Sequence, residues 1–251
     1  MTIKAQSGVG KIRLFNDFTG IWSAVAETTD FLMLGGDFFA GGEGFEDNDT
    51  GVIPSGTAPL SGSVTMTSGN TDADTSFIGT QIMFDVALMG PLIMETRLQI
   101  PDLDTKEIFV GFTSILTFDE QLEDIIIGSS ATVIAPVADL CGFYLSDELT
   151  ASATEWQGFH KGGTTAASTT VADENLGIGP TAGEWQILRL EIDPNGDARW
   201  YVDGVLKQST SLAASTTSNM AACVAFAANT TELVVGDIDY ILVEANRDWN
   251  A

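Results

Sequence analysis

The chain has 251 residues, 44% of them hydrophobic and 18% charged, enough apolar material for a buried core and too much for a disordered segment. Ten basic against thirty-five acidic residues give a formal net charge of −25. That balance excludes a grip on nucleic acid, where clustered Lys and Arg must neutralise phosphates, and it disfavours anionic membranes.

Length alone leaves one large β-sandwich or two small domains open. The basic residues are unevenly spread: Lys4, Lys11 and Arg13 precede any acid, and no Lys or Arg follows until Arg97. Residues 1–18 therefore read as an N-terminal arm whose Lys4, Lys11 and Arg13 meet an acidic surface, although a frayed terminus fits equally well. The opening MTIKAQSGVGKIRLF lacks the apolar stretch of a signal peptide, and no run of about 18 apolar residues is present to span a membrane.

Strand candidates follow at short intervals: KIRLF (from Lys11), FLMLG (from Phe31), SVTMT (from Ser63), SFIGTQIMFDV (from Ser76), LIMETRLQI (from Leu92), EIFVGFTS (from Glu107) and LCGFYLS (from Leu140). The last third adds EWQGFHK, EWQILRLEID, DARWYVD, MAACVAFAA and ELVVGDIDYILVEA. Several alternate with period two, as half-buried strands do: Leu188, Leu190 and Ile192 face one way, Arg189, Glu191 and Asp193 the other. TFDEQLEDIIIG, from Thr117, is the best helix candidate, with an acidic first turn and about two turns of length. Gly, Thr and Ser fill the intervals, so an antiparallel all-β sandwich is expected, with no parallel βαβ order. Cys141 and Cys223 sit within apolar runs without CxxC spacing and are expected as buried free thiols, which suits synthesis in a reducing cytoplasm.

Glu191 to Ser209 is the strongest local element. Pro194-Asn195-Gly196 and Asp203-Gly204 are tight turns, and they join three strands into a meander. Gly183-Glu184-Trp185-Gln186, the run Leu188 to Asp193, Gly196, the segment Trp200 to Val205 and the final Asp239-Tyr240-Ile241 together resemble the late strands of the concanavalin A-like, laminin-G-like jelly roll. That resemblance covers about a quarter of the chain and speaks to fold, not to function. The whole chain is also similar to a group of proteins carried by marine tailed bacteriophages and encoded near the head genes. The residues that carry it are Lys11 to Phe18, Leu140-Cys141-Gly142-Phe143-Tyr144 and Gly183 to Gln186. It implies a virion structural protein, made in the host cytoplasm, that decorates the capsid exterior and stabilises the shell by binding the major capsid protein.

Many concanavalin-like proteins are glycoside hydrolases, so the resemblance raises a catalytic reading. A retaining enzyme needs two carboxylates roughly 5 Å apart on one strand face, commonly as Glu-x-Asp-x-x-Glu. Glu191-Ile192-Asp193 is the nearest match, but Pro194-Asn195-Gly196 follows and no second Glu arrives. His160 is the only histidine and has no nucleophile motif around it, so no enzyme is expected, and one His with two separated Cys argues against zinc. Calcium is the candidate cofactor: the loop Glu43 to Gly51 carries Glu46, Asp47 and Asp49 as oxygen ligands, although it lacks the terminal Glu of an EF-hand and the solvated acidic loop is the stronger reading. Asp72-Ala73-Asp74 is a weaker second candidate.

The reading is thus a concanavalin A-like jelly-roll β-sandwich at residues 19–251 behind the arm at 1–18, acting as a capsid decoration protein. Expected partners are the major capsid protein and further copies of the chain, without nucleic acid or membrane. The alternative is a lectin-like module for host glycans, with Trp22, Trp156, Trp185, Trp200 and Trp249 as candidate stacking residues; Trp185 and Trp200 lie in strands and suit the core, while Trp156 and Trp249 are better placed near edges.

Overall fold

The computed structural model describes residues 10–19, 31–35, 37–45, 51–54, 62–104 and 106–247. Its strands, in chain order, are β1 (Lys11–Asn16), β2 (Leu32–Gly35), β3 (Phe38–Gly41), β4 (Gly51–Pro54), β5 (Val64–Thr67), β6 (Thr75–Gly79), β7 (Phe84–Asp85), β8 (Leu92–Gln99) and β9 (Lys106–Thr113). They continue with β10 (Ile127–Ser129), β11 (Thr132–Ile134), β12 (Leu140–Ser146), β13 (Gln157–Lys161), β14 (Trp185–Ile192), β15 (Ala198–Val202), β16 (Val205–Thr210), β17 (Asn219–Ala228) and β18 (Val235–Asn246). Three single-turn helices interrupt them, α1 (Val86–Met89), α2 (Leu122–Ile125) and α3 (Val171–Glu174). Among the described residues no helix is long and apolar enough to cross a membrane.

Two antiparallel sheets form a sandwich. The first runs β16-β15-β14-β8-β18-β5-β4, with β1 also on β18, and the second runs β13-β12-β9-β17-β6-β3-β2, with β7 on β17. Within the segment expected as an arm, β1 pairs residue for residue with Ile241–Asn246, because Ile12, Leu14 and Asn16 turn toward the core while Lys11, Arg13 and Phe15 turn away. The meander β14-β15-β16 forms as its turns dictate. Asp203 (φ +50°) and Gly204 (φ +76°) both occupy the left-handed region, the requirement of a two-residue hairpin whose twist matches its strands.

The inter-sheet core interleaves Met94, Leu98, Leu188 and Leu190 of the first sheet with Val110, Phe112, Phe143 and Val224 of the second. Two buried tryptophans bridge the sandwich. Trp200 Nε1 donates to the Gly142 carbonyl at 2.9 Å, and Trp156 Nε1 donates to Gln186 Oε1 at 2.7 Å. Cys141 and Cys223 are buried free thiols.

A second core lies on the far side of the second sheet. There Phe109, Tyr144, Phe159, Cys223 and Ala225 are covered by Leu116, Leu122, Ile125, Ile126, Val133 and Leu149 from the connecting segments. The helix expected from Thr117 shrinks to the single turn α2, since the β-branched run Ile125-Ile126-Ile127 favours extended backbone and leads straight into β10.

Candidate functional site

The first sheet keeps its outer face open to solvent. Every second residue of β14 and β8 is only half-buried: Trp185, Ile187, Arg189 and Glu191 on one strand, Ile93, Glu95, Arg97 and Gln99 on the other. Strand register then sets these side chains in rows that cross the sheet. One row is Arg199, Glu191, Ile93, Glu244 and Arg13; its neighbour is Tyr201, Arg189, Glu95, Leu242 and Phe15.

Arginines cross-link the carboxylates of these rows. Arg189 donates to Glu95 Oε2 at 3.0 Å through Nη1 and to Glu191 Oε1 at 2.8 Å through Nε. Arg199 grips Asp193 as a two-pronged fork, Nη1 to Oδ2 at 2.6 Å and Nη2 to Oδ1 at 2.9 Å. Arg97 donates to Asp239 at 2.8 Å and lies over the Trp185 ring, 4.8 Å from its centroid. The Tyr240 hydroxyl donates to Glu95 Oε1 at 2.8 Å, and Phe15 lies 6.0 Å from the Tyr240 ring.

The electrostatic result is a rigid set of fixed charges. The Arg199 fork holds Asp193 below the usual carboxylate range and raises Arg199 itself. Partial burial would lower Arg189, but its hydrogen bonds to Glu191 and Glu95 raise it on balance. Burial and then the bond to Glu95 push the Tyr240 phenol up. Such a surface exchanges no proton near neutral pH through these groups. It offers aromatic faces and oriented donors and acceptors.

A cavity of about 410 Å³ closes one end of the first row, lined by Lys11, Ile12, Arg13, Pro91, Ile93, Glu244 and Ala245. Its charges already have partners in the chain. Arg13 Nε lies 3.1 Å from Glu244 Oε1, and Lys11 Nζ donates to Asn246 Oδ1 at 2.6 Å.

The outer face of the second sheet is a different environment. Along β9, β12 and β17 its only carboxylate is Glu107, among Phe109, Gly111, Leu140, Tyr144, Cys223 and Ala225. Burial pushes Glu107 up to about 7, against hydrogen bonds from the Tyr144 hydroxyl at 2.5 Å and the Ser146 hydroxyl at 3.0 Å. Being only 1% exposed, it is out of reach of a substrate.

The residues singled out by sequence are scattered. Glu191 and Asp193 stand together on β14 and the turn after it, both bound to Arg199. His160 is buried between the sheets, its Nδ1 3.8 Å from Glu174 Oε2, and burial lowers its basicity. Trp200 is a core residue as expected, but Trp156 is buried too rather than at an edge, because its indole reaches Gln186 across the sandwich, and Trp185 is half-exposed rather than core, because it falls on the outward half of β14. Asp74 is buried and caps its own turn, its Oδ2 accepting from the Thr71 amide at 3.0 Å. Lys4, Trp22, the calcium candidates Glu46, Asp47 and Asp49, and Trp249 lie outside the described residues. Among the described residues no group of three or more His, Cys, Asp or Glu side chains is placed to hold a metal. The cross-strand rows were missed from sequence because they depend on register. The signal available was the polar half of each period-two strand.

No protein-family model and no curated relative matches the chain. Its fold matches solved structures of low sequence identity. A protein of unknown function from Shewanella oneidensis MR-1 aligns with a TM-score of 0.57 at 12% identity, over 100% of this chain and 92% of that one. A β-glucanase of Bacillus licheniformis aligns with a TM-score of 0.54 at 12% identity, over 92% and 97%. The carbohydrate recognition domain of Emp46p aligns with a TM-score of 0.51 at 9% identity, over 82% and 87%. These matches correct the expectation of a bacteriophage capsid decoration protein: the fold is shared with a β-glucanase and a carbohydrate recognition domain, and neither of these two is a capsid protein. The misleading motifs were strand-and-turn patterns. They fall in β1, β12 and the start of β14, so they report architecture and not setting.

Proposed function

We propose that this chain is a lectin-like carbohydrate-binding module on a concanavalin A-like jelly roll, and that it binds glycan on the open face of its first sheet without cleaving it. The observation that carries the reading is the cross-linked face itself. Trp185, Tyr201, Tyr240 and Phe15 offer aromatic surfaces for the C–H face of a sugar ring, and Glu95, Glu191 and Asp239 are held in place by arginines to meet its hydroxyls. Polar groups fixed before the ligand arrives bind with less loss of side-chain entropy. Kinship of fold with a β-glucanase and a carbohydrate recognition domain agrees with this choice. Binding without hydrolysis follows from the carboxylates. Asp193 is held ionised by Arg199, and Glu107, which burial pushes up to about 7, is enclosed on the opposite sheet.

A glycan array probed with the wild-type chain, with and without calcium, tests the reading. Retention on defined glycans that Trp185→Ala weakens at least tenfold is the expected result. An array with no glycan retained would overturn it.

A further inference from the structure

We infer that the bound glycan is a neutral, extended chain of several sugars that crosses the strands from β15 to the cavity beside β1; this rests on the glycan-binding reading above. Charge is the first argument. Lys11, Arg13, Arg97, Arg189 and Arg199, half of the ten basic residues, lie on this face with the six carboxylates Glu95, Glu191, Asp193, Asp237, Asp239 and Glu244. These eleven residues together carry a formal charge of only −1 in a chain of −25. Each arginine there is within 3.1 Å of a carboxylate oxygen and Lys11 donates to the Asn246 amide oxygen, so every cation of the face already has a partner, while the guanidinium groups keep further N–H donors. An acidic sugar would meet satisfied cations here and repulsion from the rest of the molecule. A neutral polyhydroxyl chain meets neither penalty, and its hydroxyls can both accept from the guanidinium N–H groups and donate to the carboxylate oxygens.

Direction follows from register. Arg199, Glu191, Ile93, Glu244 and Arg13 occupy five successive strands, which at about 4.8 Å per strand span roughly 19 Å. That spacing is close to the length of one sugar in an extended glycan, so successive sugars meet successive strands. The last three residues of this row, Ile93, Glu244 and Arg13, also line the cavity. Its volume of about 410 Å³ lies in the range of small-molecule sites, about 300–1,000 Å³, so the row ends in a recess that can seat the terminal sugar.

Titration calorimetry with linear gluco- and manno-oligosaccharides, from monosaccharide to hexasaccharide, tests the inference beside the matching uronate series. Affinity should rise at least tenfold, about 1.4 kcal/mol, from the monosaccharide to the tetrasaccharide, change little with added salt, and exceed that for uronates. Arg13→Ala and Glu244→Gln, each verified as folded by its thermal melt, should flatten the rise. Equal affinity for monosaccharide and tetrasaccharide, or tighter binding of the uronates, would overturn the extended neutral chain while leaving glycan binding intact. If every sugar in the array and in both series fails to bind, both readings fall together.

Discussion

The two sheets are similar in size and opposite in circumstance. In β8 and β14 buried and half-buried residues alternate without a break, whereas every residue of β9 and β12 is buried. The first sheet packs on one side only, so its outer positions stay half-buried and mix charged with aromatic and aliphatic side chains. The second is packed on both sides, between the inter-sheet core and the connecting segments, and it accepts near-continuous apolar strands. Similar carboxyl groups then behave differently. Asp193 on the open sheet is cross-linked and kept charged, while Glu107 on the covered sheet is driven toward its neutral form. The contrast teaches that burial on both faces makes a stable wall, and that charged and polar side chains collect on the sheet that keeps one face wet.

The largest effect should come from opening the covered side. Phe109→Ala removes a fully buried ring from the second core and should cost about 3–5 kcal/mol in urea unfolding, with glycan affinity of the folded fraction unchanged. Loss of binding without loss of stability would break the comparison.

Next comes Glu107. Between the ordinary value of about 4.5 and about 7 the folded chain retains a proton that the unfolded chain has released. Its contribution is therefore most favourable below that window and declines as pH rises through it. Relative to Glu107→Gln, wild-type stability should fall by on the order of 2 kcal/mol from about pH 5 to about pH 8. Parallel pH profiles would show that Glu107 is ionised in the fold.

Arg189→Ala should cost only about 1 kcal/mol of stability, since its ion pairs are partly solvated, yet weaken glycan binding at least tenfold by freeing Glu95 and Glu191. A variant that binds normally would remove the cross-linked rows from the site. The smallest effect is expected at the sheet margin, where Arg13→Ala should change stability by about 0.5 kcal/mol or less in the same unfolding assay.

Much of the strand content was legible. LIMETRLQI, EWQILRLEID and DARWYVD alternate so regularly that their inward and outward halves follow from the letters, and Asp203-Gly204 announces its hairpin. The short strands β3 and β4, the hairpin of β10 and β11, and α1 and α3 were not anticipated, because three or four residues carry too little periodicity to stand out. The candidate site was visible only in part. Arg189, Glu191 and Asp193 were recognised as facing one way, and Glu191-Ile192-Asp193 was weighed as a catalytic fragment. Nothing local said that Arg189 would reach Glu95, ninety-four positions away, or that Arg13 would meet Glu244 across the β1–β18 pair.

By itself, then, the sequence determined the class of the fold: period-two strands, tight turns and scarce helical pattern admit an antiparallel sandwich and little else. Which sheet would be sealed and which left open was decided by tertiary structure. The covering residues Leu116, Leu122 and Ile125 lie on connecting segments whose apolar side has no meaning until it folds over β9 and β12. The same holds for the open face. Its charges lie far apart along the chain and become a surface only when strand register brings them into rows, because side-chain contacts across a sheet depend on pairing and not on sequence distance.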